Sequence, residues 1–115
     1  MTSDAQFEMT RTHQPGVSVL QARGEIDVAS APEFHASRAQ LIGEGPEILI
    51  VDMSEVSFID STGLGVLVSA EKESRGAGHE LRLVVTQPPI TRLLALTGLD
   101  EVFTVVSSTQ DAVNA

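Results

Sequence analysis

Ile48-Leu49-Ile50-Val51 is an unbroken run of four apolar residues, three of them β-branched. Strict alternation would mark a strand with one wet face, whereas a continuous run marks a central strand covered on both faces. Any fold that contains it must lay other elements over each side of a sheet. The rest of the chain offers such elements in alternating order. Gln6 to Thr12 alternates weakly and Val17 to Arg23 more clearly, with His13 to Gly16 between them, which reads as an antiparallel hairpin. Ser30-Ala31-Pro32-Glu33 has the form of a helix start, with Ser30 as cap, Glu33 completing a capping box and Pro32 in the first turn. Ala31, Phe34, Arg38, Leu41 and Ile42 share one face of that helix, where Arg38 must lay its stem along apolar surface. Gly43, Gly45 and Pro46 end it.

After the apolar strand, Asp52 to Asp60 reads as a loop leading to a helix from about Thr62 to Arg75, which Gly76 and Gly78 stop. Leu81 to Val85 is a further strand. Pro88 opens a helix with Ile90, Leu93 and Leu94 on one stripe and Gly98 past its end. Val102 to Val106 forms the last strand, and Ser108 with Asp111 caps a short final helix. The order is ββαβαβαβ with a helical tail. Strands that alternate with helices require parallel crossovers, so the expected fold is an α/β domain with a mixed sheet and an N-terminal hairpin.

Composition narrows the function. A chain of 115 residues with 42% apolar residues supports one domain with a real core, ordered from about residue 6 to about residue 113. With four Phe and neither Trp nor Tyr, that core must be built from Val, Leu, Ile and Ala. No apolar run approaches the ~20 residues of a membrane-spanning helix. The first residues lack the basic start and apolar stretch of a secretory signal. The absence of Cys excludes disulfides and thiol chemistry. These features favour the cytoplasm. The formal charge of −9 disfavours direct contact with nucleic acid or an anionic membrane. It suits solubility, or a basic patch on another protein.

The segment that stands out chemically is Asp60-Ser61-Thr62-Gly63, at the point where an apolar segment hands over to a helix. Helix starts expose backbone N–H groups and the positive end of the dipole. Asp60 or Ser61 reads first as an ordinary N-cap. Gly63 and Gly65 are poor helix formers in the first turn, and their lack of side chains is expected to clear the space around the Ser61 hydroxyl. Leu64, Leu67 and Val68 follow at helical spacing. They are core by default, and any left exposed would form the apolar centre of an interface.

The run from Val51 to Leu67, including Phe58-Ile59-Asp60-Ser61-Thr62-Gly63-Leu64-Gly65, resembles the central motif of STAS domains, in particular the bacterial anti-sigma factor antagonists. The resemblance extends to Gly24-Glu25-Ile26-Asp27 through Pro32-Glu33 and to Pro88 through Leu99. It implies a single STAS domain with helices mainly on one face of the sheet. It also implies that Ser61 is phosphorylated by an anti-sigma factor that is itself a serine kinase. The unphosphorylated protein would bind that partner and free a sigma factor, and a PP2C-type phosphatase would reset the switch. Asp27, Asp60, Ser61, Thr62, Gly63 and Leu64 are the partner-binding residues that the resemblance implies, on a monomer without cofactor, metal or catalysis of its own.

Three other readings compete. A Ser61 nucleophile would need a histidine, and no motif links His13, His35 or His79 to it. Nucleotide binding would need a glycine-rich loop with lysine, which Gly63-Leu64-Gly65 is not. A STAS adaptor subunit of a transport or stress-signalling complex would keep the fold and make Ser61 incidental.

Overall fold

The computed structural model describes residues 7–115, so Gln6 lies outside the described residues. Five strands form one sheet in the order β1-β2-β3-β4-β5. Strand β1 (Phe7–Gln14) runs antiparallel to β2 (Val17–Ile26), and β2 runs parallel to β3 (Ile48–Ile59). Parallel pairing continues through β4 (Glu80–Val84) to β5 (Thr104–Val106). The hairpin turn is shorter than expected, since His13 and Gln14 pair with Ser18 and Val17. Only Pro15 and Gly16 remain between the strands. Proline fixes the first central residue of such a turn, and Gly16 takes the positive φ of 76° at the second.

The parallel crossovers carry α1 (Ala31–Gly43), α2 (Ser61–Gly76) and α3 (Pro88–Thr97). All three pack on one face. Phe34, Leu41, Leu67, Ala70, Ile90 and Leu94 meet Leu20, Ala22, Leu49, Val51, Leu81 and Leu83 of the strands. The opposite face is covered at its centre by the short α4 (Thr109–Asn114), whose Ala112 packs with Ile50 and Val84. Leu49, Ile50 and Val51 are consequently fully buried, which is why this strand needs no polar alternation. As expected, Ser108 caps α4, its Oγ accepting from Asp111 N at 3.0 Å. Two buried polar side chains of the sheet fasten the helix: Asp52 accepts from Thr109 Oγ1 at 3.2 Å, and Arg82 donates to Ala112 O at 2.7 Å. No helix among the described residues is long and apolar enough to cross a membrane.

The loop expected over 52–60 is instead strand as far as Ile59. Polar Ser54, Glu55 and Ser57 conceal it in the sequence, but Met53, Val56 and Ile59 point into the core. Strand β2 also runs on to Ile26, and two register shifts keep it paired with β3 up to Ile26 and Ile59. Strand β4 pairs only as far as Asp52. Beyond that point β2 and β3 continue without β4 as a narrow ribbon, flanked by β1 as far as Gly24, and the candidate site sits at its tip. The last strand also differs from expectation. Residues Leu99–Glu101 form a 3₁₀ turn and Val102 is exposed, so β5 starts only at Thr104.

Arg38 is more than a covering stem. It is fully buried between α1 and α2, with Nη2 2.8 Å from His35 Nδ1, which must accept. Its Nη1 lies 2.7 Å from Glu73 Oε1 in an ion pair bent away from good hydrogen-bond alignment. The close approach of the Arg38 guanidinium, reinforced by its charge, holds the Glu73 carboxyl below the usual carboxylate range against the smaller opposing effect of burial. A depressed carboxylate stabilises the fold above its unfolded-state pKa, and that stability is lost as pH falls through the folded value. Glu73→Gln is therefore expected to cost about 1–3 kcal/mol at pH 7, because it strands a buried guanidinium, with the half-exposed Glu73 placing the cost below that of a fully buried pair. The difference from wild type should shrink as pH falls through the folded value of Glu73. Urea unfolding followed from neutral to acid pH measures both.

Candidate functional site at the tip of the ribbon

Ile26 and Ile59 are the last paired residues of the ribbon, and Asp60 N donates to Ile26 O at 3.1 Å. Asp60 then turns the chain into α2 as its N-cap. Its Oδ1 accepts from Gly63 N at 3.0 Å and its backbone oxygen from Leu64 N at 2.9 Å. A cap of this kind contributes about 1 kcal/mol, and its charge suits the helix dipole. The second carboxylate oxygen reaches across to the β2–α1 turn and accepts from Val28 N at 3.1 Å. One side chain thus ties together the entries to both helices.

Because Asp60 does the capping, Ser61 does not. It is the first residue of α2, exposed together with Thr62, and its hydroxyl makes no hydrogen bond among the described residues. Gly63 has a different role from the one expected. It is buried, and a Cβ there would lie 2.7 Å from both Ile26 Cγ2 and Ile59 Cγ1 and 3.0 Å from Ile26 O. Its missing side chain lets α2 sit down on the end of the ribbon rather than clearing space around Ser61. Gly65 faces open space. Leu67 is core, while Leu64 and Val68 are half-buried against it, so this apolar stripe serves packing first.

Asp27 stands on the neighbouring turn, joined to the α2 start through the Val28–Asp60 bond. It is half-buried, and its Oδ1 accepts from Ala29 N at 3.0 Å and Ser30 N at 3.1 Å. The capping box expected from Ser30 to Glu33 does not form. Ser30 Oγ instead donates to Glu25 O at 2.8 Å and accepts from Asp27 N at 2.9 Å, stapling the turn shut. The α1 amide of Ala31 is satisfied by the backbone oxygen of Asp27 at 2.8 Å. Val28 and Ser30 were not among the candidate residues. The Asp-x-x-Ser spacing just before a helix is the signal that could have pointed to such a side-chain-closed turn.

The arrangement therefore gathers the six candidates into one place: Asp60, Ser61, Thr62, Gly63 and Leu64 on the opening of α2, and Asp27 bound to it through the adjacent turn. It presents a hydroxyl on a rigid helix start with two carboxylates already committed to backbone amides. His13 contacts Ser18 and His35 contacts Arg38, and none of the three histidines hydrogen-bonds to Ser61 among the described residues. A serine so placed is suited to be acted on by another protein.

The family pattern described as STAS domain matches residues 8–112. The chain is 30% identical over 112 residues to the anti-sigma-F factor antagonist RsfB of Mycobacterium tuberculosis, covering 97% of this chain and 91% of that one. It is 34% identical over 90 residues to the anti-sigma-B factor antagonist of Bacillus subtilis, covering 78% and 82% of the two chains. The crystal structure of an anti-sigma factor antagonist from Mycobacterium paratuberculosis superposes with a TM-score of 0.89 at 27% identity, covering 99% of this chain and 97% of the other.

Proposed function

Because this chain belongs to the STAS domain family, we propose that it acts in the cytoplasm as a monomeric anti-sigma factor antagonist with Ser61 as its control point. In its unphosphorylated form it binds an anti-sigma factor that is also a serine kinase, and so releases a sigma factor. Ser61 Oγ attacks the γ-phosphorus of ATP held by that kinase, its proton passes to a base of the kinase, ADP leaves, and the phosphorylated chain lets go. A PP2C-type phosphatase restores the hydroxyl. The observation that carries this reading is the division of labour at the helix start, where Asp60 caps and Ser61 is left exposed and unbonded. Relatives that are named anti-sigma factor antagonists support the partner class.

Electrostatics supports the direction of the switch. A phosphoserine carries about −1.5 to −2 charges at neutral pH. On Ser61 it stands beside the Asp60 carboxylate, so a partner surface that accepted a neutral hydroxyl meets concentrated negative charge. Incubation with the anti-sigma serine kinase of the same genome and ATP, followed by phosphosite mapping, tests the assignment. A single phosphate on Ser61 is expected, absent in Ser61→Ala. Modification of Thr62 or Ser57 in its place would overturn the choice of residue.

A further inference from the structure

The turn between β2 and α1 is fastened more tightly than the start of a helix requires. Four successive backbone N–H groups each donate to a side-chain oxygen. Asp27 N donates to Ser30 Oγ at 2.9 Å and Val28 N to Asp60 Oδ2 at 3.1 Å. Ala29 N and Ser30 N donate to Asp27 Oδ1 at 3.0 and 3.1 Å. Ser30 Oγ then donates to Glu25 O, locking the turn to the end of β2. The side chain that this clasp holds out is Val28, which is 71% exposed.

A lone exposed valine is ordinary on a protein surface. This one is held in a turn whose freedom is already spent, and its own amide is bound by the cap of the helix that presents Ser61. Ordering an interface residue on binding costs affinity, and a residue ordered beforehand avoids that cost. The shared Asp60 also fixes Val28 relative to the serine hydroxyl, so one partner surface can meet both.

We propose that Val28 is an apolar anchor for the same kinase that phosphorylates Ser61, with Ser30 and Asp60 as positioning residues that hold it in place. The complementary feature on the partner is a shallow apolar site next to its catalytic entrance, flanked by basic groups that tolerate Asp27 and Glu25. This rests on the function proposed above, which it extends from one residue to a two-point contact.

The test is steady-state phosphorylation of the full chain by the purified anti-sigma serine kinase of the same genome with ATP. Val28→Ser is expected to raise KM for the chain about tenfold, the loss typical of an anchor residue. Its kcat should stay within about twofold, because the chemistry at Ser61 is untouched, and its melting temperature should match wild type. Ser30→Ala should raise KM in the same direction, and Ser30→Thr, which keeps the hydroxyl, should restore it. If wild type is phosphorylated at Ser61 while Val28→Ser keeps the wild-type KM, or loses only kcat, the anchor is refuted and the switch stands. If wild type is not phosphorylated at all, both are refuted.

Discussion

Gly63→Ala is expected to destabilise the domain by about 2 kcal/mol, while Gly65→Ala, two residues further along the same helix, stabilises it by up to about 1 kcal/mol. Intrinsic helix preference is the same at both sites and favours alanine. The surroundings decide the sign. At Gly63 the new methyl carbon would sit 2.7 Å from two isoleucine side-chain carbons that branch directly from their Cβ atoms, and 3.0 Å from a backbone oxygen. None of these is the free end of a flexible chain. Either α2 lifts off the ribbon or Ile26 and Ile59 leave their rotamers. At Gly65 nothing lies within 4 Å of the added carbon. Thermal unfolding should show Gly63→Ala lowered by roughly 10 °C and Gly65→Ala unchanged or raised. Equal effects at the two glycines would mean that the close approach of α2 to the ribbon is wrong.

Ser61→Asp is expected to weaken binding to the anti-sigma partner by on the order of a hundredfold, with Ser61→Ala remaining near wild type. The difference is not one of folding. Residue 61 is exposed in the first turn of α2, where an added carboxylate suits the helix dipole and offsets its nearness to Asp60. Both variants should therefore melt close to wild type. Their contrast in affinity then reports on charge at the interface. Isothermal titration calorimetry with the purified anti-sigma factor reads it directly, and increasing salt should weaken the penalty, as expected for a charge near solvent. Equal affinities of the two variants would remove the electrostatic switch.

The layering of this fold was legible in the sequence because its signals are local and strong. Ile48–Val51 demanded cover on both faces, and the structure supplies three helices on one side and α4 on the other. Pro88, Gly98 and Ser108 marked helix ends that stand where they were placed. The extension of β3 was not legible, because its outward residues are polar and its pairing depends on how far β2 runs, a distant fact. The same limit applied to the site. The residues from Asp60 to Leu64 could be picked out from their order alone. That Asp60 rather than Ser61 caps the helix, that Gly63 is buried against Ile26 and Ile59, and that Ser30 closes a turn instead of a capping box are all consequences of β2 and β3 ending side by side. Single-chain patterns carry no record of such neighbours.

In the proposed function, one phosphate on one serine turns binding off without rebuilding the domain. The most direct measurement compares the affinity of the same anti-sigma factor for the unphosphorylated chain and for the chain fully phosphorylated at Ser61. Tight binding of the first is expected, and at least about a hundredfold weaker binding of the second, with both forms folded and equally protected in amide exchange across the core. Equal affinity for the two forms would contradict it.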